Sequence, residues 1–235
     1  EGIKMDGVSS KVIRNLGYPL RREFRRIPRE RARRSLGVSS SERLLVVLGG
    51  SQGATSLNQW VKDHLEAFAS DGVSVYCLTG MGNESSGVVE MTGSDGSSVP
   101  MRFVPFSDEM STVLSAADLV ISRAGAGSIS EIIRCRIPSI LVPYPFAADD
   151  HQALNASFIE QKGAAIVCPQ DRIEELLFEE AREVMFNEEF RAVLRRNLVA
   201  TDPGDVVSEI VFDVTNVLKE SGNRDVIAGA LPFAG

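Results

Sequence analysis

Short apolar runs alternate with segments of helical periodicity along this chain of 235 residues. The runs are rich in β-branched residues and are short, which is typical of strands buried on both faces. They begin near Leu44, Val73, Met101, Leu119, Ser139 and Ala165. Between them, apolar positions recur at helical spacing, for example in residues 57–68. This alternation predicts an α/β fold with a doubly wound parallel sheet, which is Rossmann-like.

Several segments depart from this alternation. Residues 79–100 are rich in glycine and serine, which predicts a mobile loop around a short helix at residues 88–91. Helices are predicted from Asp171 and again from Asp202-Pro203, and residues 221–235 are predicted to be a frayed end. We expect the end of a preceding domain and a basic linker in residues 1–40, a ligand-binding α/β domain in residues 41–200 and a C-terminal helix and tail in residues 201–235.

Residues 119–133 predict a buried strand, a tight glycine turn and the start of a helix. Gly125 and Gly127 allow a sharp turn and leave no side chain in the way of a ligand. Ser128 and Glu131 have the spacing of a capping box, which places the N-cap at Ser128. A helix N-terminus at the carboxyl end of a parallel strand suits an anion such as a diphosphate. The alternative is a plain strand-to-helix turn.

A second glycine-rich turn, residues 49–54, follows the strand that begins at Leu44. It lacks the Lys-Ser/Thr ending of a P-loop that binds nucleoside triphosphates. It also lacks a true Gly-x-Gly-x-x-Gly spacing, which disfavours a dinucleotide oxidoreductase. Four loops leave the carboxyl ends of predicted strands: residues 49–53, 105–108, 123–128 and 143–152. Because ligands bind beyond these strand ends, we expect the four loops to converge on one cleft.

Composition narrows the function classes. Hydrophobic residues make up 43% and charged residues 24%, as in ordinary globular proteins, and the net charge of −7 argues against a general nucleic-acid binder. No apolar run approaches the roughly 20 residues needed to span a bilayer. The three cysteines are far apart and odd in number, which predicts reduced thiols in a cytosol-like compartment rather than disulfides or a metal site. The chain begins with Glu1, and we expect a fragment or a processed product.

A basic stretch in residues 21–34 contrasts with the acidic chain. One interpretation is a solvated linker helix that ends at Gly37. The other is a surface that faces anionic lipid or a pyrophosphate-bearing substrate.

The glycine-rich loops, together with residues 106–110 and 142–155, resemble a known family. It is that of the bacterial peptidoglycan enzyme that adds N-acetylglucosamine to lipid I, an undecaprenyldiphospho-muramoylpentapeptide N-acetylglucosaminyltransferase of glycosyltransferase family 28. The matching segments read GGSQGA at residues 49–54, FSDEM at 106–110, RAGAGSISE at 123–131 and VPYPFAADDHQALN at 142–155. Residues 17–21, GYPLR, resemble the segment that closes the N-terminal domain of this two-domain GT-B fold.

The resemblance implies a UDP-N-acetylglucosamine site without a metal or another cofactor. It places the uracil near the backbone of Ser107 and the ribose hydroxyls on Glu131, a carboxylate that can accept from both. The diphosphate is expected at Ser51, Gly127 and Ser128, with Arg123 near the uridine and phosphates, and the sugar hydroxyls at Asp149, His151 and Gln152. The full predicted binding set is Ser51, Gln52, Ser107, Arg123, Gly125, Gly127, Ser128, Glu131, Asp149, His151 and Gln152.

Several positions depart from the family pattern. His151 replaces the usual glutamine, Asp150 the arginine of some members and Ala124 their serine, which bears on sugar specificity more than on UDP binding. The remaining alternatives for single residues are a capping role for Glu131, a structural ion pair for Arg123 and an exposed helix start for His151. The family's N-terminal domain, with its candidate catalytic histidine, is expected to lie outside this chain. No catalytic residue is therefore assigned, and His64 is not taken as a replacement.

The resemblance implies the donor-binding half of an inverting glycosyltransferase that makes lipid II. Its expected partners are UDP-N-acetylglucosamine and, through the absent N-terminal domain, a lipid-linked acceptor. Its expected location is cytoplasmic, peripheral at the inner face of an anionic plasma membrane. The alternatives are a non-catalytic nucleotide-sugar-binding subunit with a separate acceptor-binding partner, and a related diacylglycerol glycosyltransferase.

Overall fold

The computed structural model describes residues 16–21, 24–49, 55–81 and 86–220 of the chain. Internal contacts divide the chain into two compact units. The larger unit, Arg22–Asp202, contains the sheet, and the smaller consists of Glu1–Arg21 and Pro203–Gly235. The described part of the smaller unit contains helix α9, Val206–Glu220. Within that unit, Gly17 has φ +90° and lies against the ring of Pro203, where a Cβ would stand 3.0 Å from Cγ.

Seven strands within the described residues of the larger unit form one sheet. They are β1 Arg43–Leu48, β2 Val73–Leu78, β3 Gly87–Thr92, β4 Ser98–Val104, β5 Leu119–Ser122, β6 Ser139–Leu141 and β7 Ile166–Val167. Their spatial order is β3-β4-β2-β1-β5-β6-β7, and all neighbours are parallel except β3 and β4. The predicted doubly wound parallel α/β fold is confirmed.

Eight helices of the described residues belong to the larger unit. They are α1 Arg29–Leu36, α2 Thr55–Asp63, α3 Leu65–Ser70, α4 Met110–Ala116, α5 Ala126–Cys135, α6 His151–Gln161, α7 Phe178–Phe186 and α8 Glu188–Thr201. Along the chain, α2 to α6 lie between strands of the sheet. Short 3-10 turns lie at Ala148–Asp150 and Gln170–Arg172, and a π-helical turn lies at Ile173–Leu177. The core flanks β1, β2 and β5, which are buried except at Arg43, because helices cover both faces of a parallel sheet.

The predicted helix at residues 88–91 is wrong, because these residues belong to β3. This strand pairs with β4 in an antiparallel hairpin, and a turn from Gly93 to Ser97 joins them. Val88 and Val89 are 57% and 46% exposed at the edge of the sheet. A strand with no buried face has no apolar alternation, so the pattern that predicts the central strands is missing here.

The predicted single helix at residues 57–68 is two helices, α2 and α3, separated at His64. The His64 ring packs between Trp60 and Phe178, with centroid distances of 4.7 and 5.2 Å. Its Nδ1 also lies 2.7 Å from the carbonyl oxygen of Trp60. His64 thus has a packing role in the hydrophobic layer beneath α7.

The second half of the basic stretch lies in α1, which begins at Arg29, and Gly37 ends that helix, as predicted, in the left-handed conformation. The solvated-helix interpretation fails at Arg33, which is only 1% exposed. Its guanidinium donates to the carbonyl oxygen of Ala116 at 3.0 Å and to Asp118 Oδ2 at 2.6 Å. Arg33 therefore anchors α1 to the start of β5.

The three cysteines are buried and unpaired in the structure. Across the part of the chain that the structure describes, no helix is long and apolar enough to cross a membrane.

Candidate functional site

Six strand ends lie level along the carboxyl edge of the sheet. The register pairs Val104 with Leu78, Leu78 with Leu48, Leu48 with Ser122, Ser122 with Leu141, and Leu141 with Val167. Neighbouring strands are about 4.8 Å apart, so the loops after β4 and β6 begin within about 20 Å of each other. The described parts of the suspected loops therefore leave the same edge of the sheet, and their convergence on one cleft stays a prediction. Ser51 and Gln52 lie outside the described residues, and their roles stay predictions.

Helix α5 begins at this edge, directly after β5. Its N-cap is Gly125, with φ −69° and ψ 143°, and no side chain of the described residues caps the helix. The predicted N-cap at Ser128 is wrong, because Ser128 is already the third helical residue. The first N–H groups of a helix have no intrahelical partner and carry the positive end of its dipole. The start of α5 is therefore suited to an anion.

Gly127, Ser128 and Glu131 lie on one face of α5, because residues three and four positions apart are neighbours on a helix surface. All three are partly exposed. An anion at the helix N-terminus would thus have the Glu131 carboxylate one turn further along the same face. This spacing suits a ligand that carries hydroxyl donors next to a charged group.

Arg123 joins the end of β5 to two neighbouring elements. It is 8% exposed, and its guanidinium donates to Ser56 Oγ at 2.9 Å and to the carbonyl oxygen of Val142 at 3.1 Å. The ring of Tyr144 lies 5.5 Å away, and burial lowers the pKa of the guanidinium. Within the described residues, these contacts of Arg123 are to neutral groups, so the alternative of a structural ion pair gains no support. A role toward the uridine and phosphates stays a prediction.

Two amide side chains of α6 hold the loops that follow β5 and β6. Gln152 Oε1 accepts from the backbone N–H groups of Ala124 at 3.2 Å and Tyr144 at 3.0 Å. Asn155 Nδ2 donates to the carbonyl oxygen of Ala124 at 3.1 Å. Gln152, which is predicted to face the sugar, joins the two loops through its side-chain oxygen. Its side-chain NH₂ group makes none of these contacts and can still donate hydrogen bonds to a ligand.

The residues before α6 adopt an unusual backbone. Asp149 and Asp150 have φ values of 50° and 51°, in the left-handed region that non-glycine residues rarely enter. Both side chains are exposed, as is His151, the first residue of α6. Such strain persists where the surrounding structure fixes it and is common at ligand-binding loops. The structure places Asp149 and His151 beside Gln152 on one exposed turn.

Ser107 lies in the loop between β4 and α4, and it is partly exposed. Its Oγ accepts from the backbone N–H of Glu109 at 3.2 Å. Tyr76 also hydrogen-bonds to Ser107, while burial raises the pKa of the Tyr76 phenol. The loop is thus held against β2, and Ser107 follows the same level edge as Gly125.

Comparison with known proteins identifies the family. The model of the glycosyltransferase family 28 C-terminal domain matches residues 44–202, which contain the sheet from β1 to β7 and all described loops of the carboxyl edge. The chain belongs to this family.

Two curated relatives carry the same name, UDP-N-acetylglucosamine--N-acetylmuramyl-(pentapeptide) pyrophosphoryl-undecaprenol N-acetylglucosamine transferase. The protein from Opitutus terrae is 41% identical over 94% of this chain and 58% of its own length. The protein from Phocaeicola vulgatus is 35% identical over 88% of this chain and 56% of its own length. The family 28 chain thus spans a little over half the length of these relatives.

Solved structures share the fold. The crystal structure of Acinetobacter baumannii MurG superposes with a TM-score of 0.62 and 22% identity, over 82% of this chain and 54% of that chain. The calicheamicin glycosyltransferase CalG4 superposes with a TM-score of 0.58 and 18% identity, over 77% of this chain and 43% of that chain. The family 28 chain thus has the fold of one half of a GT-B glycosyltransferase.

Asn155 and Ser56 are not predicted from the sequence, although both contact residues of the site. The signal for Asn155 is its position three residues after Gln152, which places two amides on one face at the start of a helix. Ser56 gives no such signal, because only the fold brings it to Arg123, 67 positions away.

Proposed function

We propose that this family 28 chain is the donor-binding half of an inverting glycosyltransferase. In this proposal it binds UDP-N-acetylglucosamine, and the complete enzyme transfers N-acetylglucosamine to lipid I to make lipid II. The observation that carries the proposal is the start of α5, which no described side chain caps, at the level edge of a sheet that matches the family model. The shared name of the curated relatives supports the sugar and the acceptor.

In this proposal the diphosphate binds the N–H groups at Gly127 and Ser128, and Glu131 accepts from the ribose hydroxyls. The uracil lies near the Ser107 backbone, and the sugar lies near Asp149, His151 and the amide nitrogen of Gln152. Arg123 acts through its contacts with Ser56 and Val142, which fix the edge where the phosphates bind. Ser51 and Gln52 complete the diphosphate site from the first glycine loop.

The reaction is a direct displacement at the sugar C1. The helix N-terminus stabilises the negative charge that develops on the departing UDP, because its N–H groups are already oriented toward the diphosphate. The acceptor and the general base belong to the remaining part of the protein. The chain alone is therefore expected to bind the donor without turnover. The complete protein is expected to be cytoplasmic and to contact the anionic membrane peripherally, where the lipid-linked acceptor lies.

Calorimetric titration of the chain tests the donor. UDP and UDP-N-acetylglucosamine are expected to bind, and NAD is not. Tighter binding of UDP-glucose than of UDP-N-acetylglucosamine would favour the diacylglycerol glycosyltransferase alternative. Binding of NAD without UDP would overturn the proposal. If a separately encoded partner restores transfer, the chain is the binding subunit of a two-chain enzyme.

The Glu131→Ala variant tests the ribose contact. Its affinity for UDP is expected to fall by about 1–3 kcal/mol, roughly 5- to 150-fold, because charged hydrogen bonds are lost. Glu160→Ala removes an exposed carboxylate from α6 and serves as the matched control. Equal UDP affinity in the Glu131 variant and the wild type would remove Glu131 from the site.

A further inference from the structure

A cavity lies at the edge of the sheet opposite the candidate donor site. It has a volume of about 520 Å³ and is lined by residues at the amino ends of the strands, among them Arg43 of β1 and Asp118 before β5. A six-residue strand such as β1 is about 20 Å long, so this cavity is remote from the candidate donor site. Its size is within the usual range for small-ligand sites, which is about 300–1,000 Å³.

Arginines dominate the lining of this cavity, which we name the basal pocket. They are Arg26, Arg29, Arg43, Arg136, Arg191 and Arg195. Three carboxylates of the described residues, those of Glu42, Asp118 and Glu188, line it as well. The excess of positive charge is concentrated here although the chain as a whole has a net charge of −7. A cleft lined by one sign of charge attracts ligands of the other sign.

The carboxylates of the basal pocket are already engaged. Asp118 pairs with Arg33 at 2.6 Å and with Arg29, and it accepts from the backbone N–H of Leu44 at 2.9 Å. Glu188 pairs with Arg191 and, at 3.0 Å, with Arg195. These contacts neutralise part of the lining.

The third carboxylate is held locally. Glu42 Oε1 accepts from the backbone N–H of Ser39 at 2.5 Å, and its Oε2 lies 4.0 Å from Arg102. The three carboxylates are thus directed toward groups other than Arg26, Arg43 and Arg136.

Those three arginines have no carboxylate partner among the contacts of the described residues. The Arg43 guanidinium lies 4.6 Å from the centroid of the Phe186 ring, which orients it without satisfying its donors. Arg136 Nε is buried without a hydrogen-bond partner in the part of the chain that is described, and so is Arg191 Nε. Buried donors are normally satisfied, so a ligand that accepts hydrogen bonds would complete this site.

The backbone conformation of Arg136 also supports a ligand site in the basal pocket. Arg136 ends α5 with φ 59°, in the left-handed conformation that helix C-termini usually assign to glycine. Arginine is disfavoured there, because its Cβ crowds the backbone. Glycine would bring no side chain to this position, whereas Arg136 adds one to the lining of the basal pocket.

We propose that the basal pocket binds a phosphorylated ligand, with Arg26, Arg43 and Arg136 donating to the phosphoryl oxygens. Guanidinium groups suit this chemistry, because their planar fork matches two oxygens of a phosphate at once. The phosphoryl group belongs either to a soluble phosphate ester or to a lipid headgroup. This proposal does not depend on the donor site.

The Arg136→Gly variant provides the test, because glycine is favoured at the left-handed position and keeps the fold intact. Arg43→Gln is the second variant. Arg34→Gln removes an exposed arginine of α1 outside the basal pocket and is the matched control for charge. Glycerol 3-phosphate and pyrophosphate are titrated by calorimetry with saturating UDP present, so that diphosphate binding elsewhere is blocked. Flotation with phosphatidylglycerol and phosphatidylcholine vesicles tests the lipid source.

Both pocket variants are expected to weaken binding at least tenfold, and Arg34→Gln is expected to change it less than twofold. Binding of glycerol 3-phosphate with this dependence identifies a soluble ester, and binding only to phosphatidylglycerol vesicles identifies a headgroup. Equal losses in the variants and the control, or no binding of any probe, would overturn the proposal. If UDP itself fails to bind, the donor proposal fails, while the comparison of variants still assigns phosphate binding to the basal pocket.

Discussion

Arg33 is almost fully buried, although arginine is usually a surface residue. Besides Asp118 and Ala116, it donates to the carbonyl oxygens of Ser39 at 2.8 Å and Glu42 at 2.6 Å. Burial lowers the pKa of its guanidinium, and Asp118 opposes that shift. The Arg33 guanidinium thus donates to carbonyl oxygens of the loop before β1 and of the end of α4. The buried charge therefore holds these two segments and α1 together.

Arg33→Ala is expected to destabilise the chain by about 3–5 kcal/mol, because it leaves Asp118 less compensated and orphans several carbonyl groups. Urea denaturation monitored by circular dichroism measures this loss. The neighbouring Arg34→Ala variant, at an exposed position, should stay within about 0.5 kcal/mol of the wild type. A loss for Arg33→Ala no larger than that of Arg34→Ala would show that the buried contacts contribute little.

At the scale of elements, the start of α6 connects the loops after β5 and β6. Gln152 joins the two loops through Ala124 and Tyr144, and Asn155 holds Ala124 from the other side. These contacts fix the segment that enters α5. The position of the helix N-terminus at the candidate site is therefore set by α6 as well as by its own sequence.

Comparison of Gln152→Ala with Asn155→Ala separates positioning from sugar contact. Asn155→Ala should weaken UDP and UDP-N-acetylglucosamine by the same factor, because it only loosens the loop. Gln152→Ala should weaken UDP-N-acetylglucosamine more than UDP, because its amide nitrogen is proposed to face the sugar. Calorimetry with both ligands gives the two ratios. Identical ratios for the two variants would leave Gln152 with a positioning role alone.

The sequence predicts elements whose signal is local. β1, β2 and β5 are continuous apolar runs because both of their faces are buried, and the match is close at β2, Val73–Leu78. The exposed β3 has no such signal. The sequence pattern misplaces the N-cap of α5 because Gly125 has no side chain to mark it, while Ser128 imitates a cap. The pairing of Arg33 with Asp118 joins positions 85 residues apart, which no local pattern contains.

At the scale of the whole molecule, the three thiols report on the integrity of the core. Burial raises the pKa of Cys77 to about 12 and that of Cys135 to about 11. A thiol in an unfolded chain has a pKa near 8.5. Because the thiolate is the reactive form, the folded chain protects these side chains both by exclusion and by protonation.

At pH 8 the cysteines of the native chain are expected to react very slowly with a chromogenic disulfide reagent, as measured by absorbance. In the denatured chain all three cysteines should react. The raised folded pKa values stabilise the fold fully below about pH 8.5, and this contribution declines as the pH rises toward 11. Urea midpoints measured between pH 7.5 and 10 give the slope. Rapid reaction of a native thiol at pH 8 would contradict the described core.

Because the carboxyl ends of six strands are in register, the loops of the proposed donor site lie outside the paired residues of the sheet. Because each connecting segment departs from a common line, its residues can be exchanged without moving any hydrogen-bonded pair of the sheet. Enzymes for different activated sugars could therefore diversify on this framework by altering only the rim. If the proposed donor site is correct, substitutions at positions 149–151, none of which belongs to a strand of the sheet, should change the donor preference.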